Sequence, residues 1–142
     1  MKTLVMRQGE KLTIRAIAFE RAGAQRDQCP MLAFFEEQSK RDPLEFSKLT
    51  ALLDFVVKNG PPKNETKFKH LTGTNGLYEF KTNGGLRLCC FWDATSLIIC
   101  THGFLKKKQQ TPAQEIKKAA QLKTEYFKAK ASGDLTHVEA KK

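Results

Sequence analysis

The chain lacks the features that would make it a membrane protein, a secreted disulfide scaffold or a zinc module. Its longest apolar stretches, residues 86–92 and 97–100, fall far short of the roughly 20 residues a spanning helix needs. Residues 1–11 carry charged and polar side chains at short intervals and no apolar block follows them, so no secretory signal is expected. A cytoplasmic protein with no membrane contact is the default. Four cysteines are present, Cys29, Cys89, Cys90 and Cys100, but they form no CxxC pair. Cys89 and Cys90 are adjacent, and in a strand they would point to opposite faces. All four read as reduced, mostly buried apolar residues. His70, His102 and His137 are too scattered for a metal site, so neither metal nor other cofactor is expected. No internal repeat is visible.

What the chain does have is positive charge. Its 142 residues include 25 Lys+Arg against 15 Asp+Glu, a net charge of +10 and a pI of about 9.6, as expected for a nucleic-acid-binding domain. Residues 1–62 hold ten basic and eight acidic side chains, residues 63–103 five and three, and residues 104–142 ten and four. A polyanion would be drawn mainly to the C-terminal third. Lysine-rich helix faces that only keep a protein soluble would look the same by charge alone. The length suits one domain able to bury its own core. Residues 1–131 are taken as that domain and residues 132–142 as a small, polar, flexible tail.

Element order follows from local pattern. Residues 12–19 alternate as a strand with Ile14, Ala16 and Ala18 on one side. Residues 20–28 are polar and contain Gly23, which predicts a loop. Pro30 opens a short helix over 31–40, rich in Met31, Leu32, Phe34 and Phe35. Asp42-Pro43-Leu44-Glu45 has the form of a capping box with proline at the first helical position. Leu49, Leu52, Leu53, Val56 and Val57 then form one stripe, ended by Gly60-Pro61-Pro62. Residues 77–82 and 86–92 flank Asn83-Gly84-Gly85 and predict a hairpin. The near-continuous apolar run of residues 97–102 predicts a central strand buried on both faces. Thr111-Pro112-Ala113-Gln114 reads as a second capping box. It starts a long helix with Ile116, Ala119, Ala120, Leu122, Tyr126 and Phe127 opposite a row of lysines.

Strand alternation puts Glu79 and Lys81 on one face with Arg87, while Tyr78, Phe80, Leu86, Leu88 and Cys90 take the other. If the aliphatic face packs on the first two helices, Glu79, Lys81 and Arg87 converge on the open side of the sheet. Such a group has the parts for RNA cleavage by the neighbouring 2′-hydroxyl. The attacking oxygen must lose a proton, the phosphorane oxygens gain charge, and the leaving 5′-oxygen must gain a proton. An ordinary solvent-facing ion pair would use the same residues. His102 and His70 are further proton-transfer candidates because imidazole titrates near neutrality. Lys106-Lys107-Lys108 would grip phosphates or form a solvated loop.

The strings LTGTNGLYEFK, GGLRLCCFWD and LIICTHGFLKKKQQTPAQEIKKA, over residues 71–127, resemble the HigB-like, phage-derived branch of the RelE/ParE toxin superfamily. Residues 12–60 fit it more loosely, by order of elements. The resemblance implies an α+β, RelE-like fold: a small twisted antiparallel sheet of about four strands, two N-terminal helices packed on it and a long C-terminal helix. It implies the toxin of a type II toxin–antitoxin system, an mRNA endoribonuclease acting at the ribosome without metal. A cognate helix-turn-helix antitoxin would neutralise it, and operator DNA would be reached only through that complex.

By position, the branch's strand arginine falls on Arg87, its glutamate on Glu79 and the following arginine on Lys81. The lysines after the His-Gly-Phe motif fall among Lys106, Lys107 and Lys108. Arg87 is the expected phosphate stabiliser and Glu79 or His102 the proton-transfer group. Lys67, Lys69, Lys81 and the Lys106 to Lys108 cluster are the expected RNA-positioning cations. There are two departures from the branch pattern. Lysine at Lys81 loses bidentate phosphate geometry while keeping charge, and Leu86 and Cys90 stand where tyrosines are common. The alternatives are a ParE-like DNA gyrase poison without nuclease activity and a non-catalytic nucleic-acid-binding module.

Overall fold

Proline-led helices and alternating strands set the architecture of the chain. A computed structural model describes residues 1–20, 28–107 and 111–139. In order these form β1 (Lys2–Gln8), β2 (Thr13–Ala18), α1 (Pro30–Arg41), α2 (Pro43–Asn59), β3 (Phe68–His70) and β4 (Tyr78–Lys81). They continue as β5 (Leu86–Ala94), β6 (Leu97–Leu105), α3 (Ala113–Ser132) and β7 (Thr136–His137). Asp42 ends α1 and caps α2, its carboxylate accepting the Glu45 N–H at 3.2 Å. The rest of the expected capping box does not close. The Glu45 carboxylate crosses to the β4–β5 hairpin and accepts the Gly84 N–H at 2.6 Å, while the Asp42 N–H bonds back to Gln38.

The strands form one mixed sheet of seven in the order β3-β4-β5-β6-β2-β1-β7. This corrects the expectation of a small antiparallel sheet of about four strands. β2 lies parallel to β6 and β7 parallel to β1, while the remaining pairs are antiparallel. The additional strands carry little periodic signal. β3 has three residues and β7 two, too few to show alternation, and the apolar residues of β1 are consecutive and flanked by charge. Residues from 132 onward, expected as a tail, include β7 on the β1 edge. There the Thr136 and Val138 N–H groups bond to the Met1 and Thr3 carbonyls, and Arg15 Nη1 donates to the Val138 carbonyl at 2.9 Å. Residues 140–142, like most of the expected loop at 20–28, lie outside the described residues. That loop's ends are joined by paired Phe19 and Gln28 backbone hydrogen bonds.

Both faces of the sheet are covered. On one, Ile14, Ala16, Ala18, Phe80, Leu86, Leu88 and Cys90 pack with the α1 and α2 residues Met31, Phe34, Leu49, Leu53 and Val56. On the other, Ile17, Cys89, Phe91, Ile99 and Phe104 pack with Ala119, Leu122 and Tyr126 of α3. The run 97–100 therefore is buried from both sides, Ile98 and Cys100 facing one layer and Ile99 the other. α3 is anchored at its far end by Asp93, which accepts from Tyr126 Oη and, at 2.6 Å, from Lys130 Nζ. Burial alone would raise the Asp93 carboxyl, but these two donors hold it below its usual value. All four cysteines are free and buried. No helix among the described residues is long and apolar enough to cross a membrane.

Candidate active site

The β4–β5 hairpin turns at Thr82, whose carbonyl accepts the Gly85 N–H at 3.1 Å. Gly85 sits at φ +97°, a conformation that strains any residue with a Cβ. The turn sets the register in which Lys81 faces Arg87 and Glu79 faces Cys89. Cross-strand partners share a face, so one row on the α3 side of the sheet reads Lys69, Glu79, Cys89, His102 from β3 to β6. The next row reads Lys81, Arg87, Phe104. Two strand spacings put the Glu79 and His102 Cα atoms roughly 10 Å apart.

The expected grouping of Glu79, Lys81 and Arg87 is present, but their face is not open. Glu79 is 1% exposed, Arg87 9% and His102 2%. α3 packs across this face, and the segment leading into it reaches the row. Thr111 Oγ1 donates to Glu79 Oε2 at 3.0 Å, and Glu115 Oε1 lies 3.2 Å from His102 Nε2. Thr111 was read as a helix cap, yet α3 is capped by Pro112 with no side-chain hydrogen bond. The Thr111 hydroxyl is spent on the sheet instead. Nothing in the Thr-Pro-x-x-Glu spacing distinguishes a local cap from a tertiary tie, because both need the same residue type. Thr111 and Glu115 are thus the site residues that pattern alone passed over.

Arg87 does not point outward into a groove. Its Nη1 donates to the Thr82 carbonyl at 2.7 Å and the Leu86 carbonyl at 2.9 Å, stapling the hairpin turn. Its buried Nε has no hydrogen-bond partner among the described residues and lies 3.9 Å from Glu79 Oε1. Burial lowers the affinity of Arg87 for its proton, and Glu79 opposes that. Lys81 is half-buried, and its pKa is lowered first by desolvation and then by the Arg87 charge, with Lys106 and Lys69 adding to the effect and Glu79 countering it. These side chains therefore share one electrostatic environment. His102 is also lowered, by burial first and then by Lys118, against the pull of Glu115. Its Nδ1 lies 3.0 Å from Thr101 Oγ1.

Of the expected RNA-positioning cations, Lys69 and Lys106 are half-buried beside this group, and Lys67 and Lys107 are exposed. The Lys106 N–H bonds to the Gly85 carbonyl, which ties the residue after β6 to the hairpin turn. Lys108 lies outside the described residues. His70 is exposed at the end of β3, on the other face of the sheet. Gly103, between His102 and Phe104, packs so closely on the Phe34 ring of α1 that a Cβ would collide with it. No group of His, Cys, Asp and Glu among the described residues is arranged to hold a metal ion.

Residues 33–124, about two-thirds of the chain, match the model of the family described as phage derived protein Gp49-like (DUF891). No curated protein matches the chain. The matched span runs from the first turn of α1 into α3 and contains Glu79, Lys81, Arg87, His102, Thr111 and Glu115. This family lies within the RelE/HigB-type toxin superfamily, is generally a family of toxin–antitoxin toxins, and so implies a cognate antitoxin partner. A chain matched over α1, α2, the hairpin, β6 and the start of α3 belongs to the phage derived protein Gp49-like family.

Proposed function

We propose that the chain is a HigB-like toxin that cleaves ribosome-bound mRNA by attack of a 2′-hydroxyl on the adjacent phosphate. The observation that carries this reading is the cluster on the α3 face, where Glu79 lies beside Arg87 and Lys81 with Lys69 and Lys106 at its rim. In the reaction a base takes the 2′-OH proton and the 2′-oxygen bonds to phosphorus. The 5′-oxygen then leaves with a proton from an acid, giving a 2′,3′-cyclic phosphate and a 5′-hydroxyl. Positive side chains can supply the charge stabilisation that the phosphorane needs. Lys81, half-buried and destabilised as a cation first by desolvation and then by the Arg87 charge, contacts the phosphate. Arg87 acts from beneath, its Nη1 committed to the hairpin and its Nε edge turned to the cluster.

Glu79 and His102 are the groups offered for proton transfer, Glu79 as a carboxyl group held by Thr111 and beside Arg87, His102 as an imidazole whose charged form is disfavoured by burial. A helix-turn-helix antitoxin silences the toxin and carries the complex to operator DNA. The test is primer extension on mRNA in purified ribosomes. Wild type should give discrete cuts, and Lys81→Ala should reduce them roughly 10²-fold with the circular dichroism spectrum unchanged, while Arg87→Lys, which keeps a buried cation beside Glu79 but loses the guanidinium edge, should also reduce them. Uncut RNA with wild type, or cuts unaffected by either change, overturns the reading. Intact transcripts accompanied by DNA breaks would instead indicate a gyrase poison.

A further inference from the structure

The opposite face of the same sheet edge carries aromatic side chains. By alternation Phe68 and His70 of β3, Tyr78 of β4 and Trp92 of β5 point away from the Glu79 row. Phe68 and Tyr78 are stacked, with ring centroids 5.2 Å apart and planes 6° from parallel. His70 meets Tyr78 edge-on at 5.1 Å, and Trp92 meets Phe68 edge-on at 6.4 Å. Phe80 closes the inner side, 4.8 Å from Phe68 and fully buried. The outer members are only partly covered: His70 is exposed, and Phe68, Tyr78 and Trp92 pack against the α1/α2 core while staying half-buried. β3 is the last strand of the sheet on this side. Along it Lys69, on the Glu79 side, separates Phe68 and His70 on the other, and the exposed Lys67 lies in the turn just before the strand.

We propose that this edge is a nucleobase-stacking platform for single-stranded RNA, a second subsite that takes bases flanking the phosphate held at Lys81 and Arg87. It rests on the RNA-cleaving reading for the identity of its ligand. Stacking surfaces that hold single strands pair aromatic rings with cations that track the backbone. Here two rings flank one lysine on a three-residue strand, with a second lysine just before it. A backbone crossing the edge meets Lys67 and Lys69, with bases on one side and the scissile phosphate on the other. The lysine charges suit a polyanion and disfavour an apolar segment, and the ring faces of His70 and Tyr78 favour a polyanion that carries flat bases over an acidic peptide, whose carboxylates cannot stack. A base laid against His70 and Tyr78 extends a stack that the protein has begun.

The chain has a single tryptophan, Trp92, which reports on this surface directly. Titration with a short 2′-O-methyl RNA, which binds but cannot be cut, should quench Trp92 fluorescence in a salt-dependent way. His70→Ala, at an exposed position, and Tyr78→Leu should each weaken that binding roughly 5- to 100-fold, the usual range for losing one stacked base. Phe55→Ser, exposed on α2, should leave it unchanged. Quenching absent in wild type, or affinity unchanged in both ring variants, overturns the platform even if wild type cleaves mRNA. Quenching lost in the ring variants while wild type cuts no RNA supports the platform and overturns the nuclease reading instead. Quenching by the cognate antitoxin but not by the oligonucleotide makes the surface a protein interface and likewise overturns the proposal.

Discussion

The two faces of the sheet are built by opposite rules. The α1/α2 face is filled by aliphatic and aromatic side chains from four strands and two helices, and its interior is almost free of charge. The α3 face is apolar only around Ile17, Phe91, Ile99, Leu122 and Tyr126, and it is polar at both ends. One end holds Asp93, Tyr126 and Lys130, and the other holds Glu79, Arg87, His102, Thr111 and Glu115. Burying charge without full pairing costs free energy. The first face therefore carries most of the stability, and it offsets the strain of keeping ionisable groups assembled on the second. A polar site covered by a helix also has a different character from an open one. Its groups are oriented and partly desolvated before any ligand arrives, which strengthens their action on a developing charge.

Substitutions can break or sharpen this contrast. The largest stability effect should come from the first face. Leu53→Ala, at a fully buried position, should cost roughly 2–5 kcal/mol in urea unfolding. A loss of less than 1 kcal/mol would mean that the α1/α2 layer is not the main core. Gly103→Ala reads the contact from β6 to the same layer. The added methyl meets the Phe34 ring and should cost roughly 1–3 kcal/mol, so a neutral effect would show that α1 shifts freely.

On the α3 face the same measurements should give smaller stability losses and larger functional ones. Thr111→Val removes the hydroxyl from Glu79 while keeping shape, and should lower stability by about 1–2 kcal/mol. A double-mutant cycle with Glu79→Gln should show coupling between the two, and independent effects would place Thr111 outside the site. Acid should act on this face too. His102 and His137 both hold their protons less readily when folded, chiefly because of burial and then because of Lys118 and Arg15 respectively. The unfolded chain therefore binds more protons as pH falls through the ordinary histidine value of 6.5, and stability present above it should be lost below it. Melting temperature should drop between pH 7.5 and 5.5, and His102→Gln should flatten that drop. The smallest effect belongs to the surface pair of Arg7 and Asp54, 2.8 Å apart, with Asp54 exposed and Arg7 half-buried. There Asp54→Ala should change stability by less than about 0.5 kcal/mol.

Much of this arrangement was legible in the linear chain. α2 begins and ends where Asp42-Pro43 and Gly60 predict, and the Asn83-Gly84-Gly85 turn sets a hairpin whose alternation sorts Glu79, Lys81 and Arg87 from Phe80, Leu86 and Leu88. Period-2 and period-3.6 patterns are local, so they survive without knowledge of neighbours. Three features were not legible for the same reason. β1, β3 and β7 gain their strand character from partners far along the chain, Lys2 with Ala18 and Thr136, Phe68 with Phe80. Thr111 has the form of a helix cap but bonds to a residue 32 positions earlier. Arg87, expected to face a groove, is buried and turns to the carbonyls of its own hairpin, a choice that strand alternation does not show.

The amino-acid order by itself determined which residues form helices and hairpin, which side chains share a face, and that the chain is strongly basic toward its C-terminal end. Those properties depend on bond geometry, side-chain period and charge within a few residues. Only the tertiary structure decided that the sheet is mixed and seven-stranded, that the charged row is roofed by α3, and that aromatic rings gather at the opposite side of its edge. Those outcomes depend on which distant surfaces lose their water to each other, and no local window of sequence contains both partners.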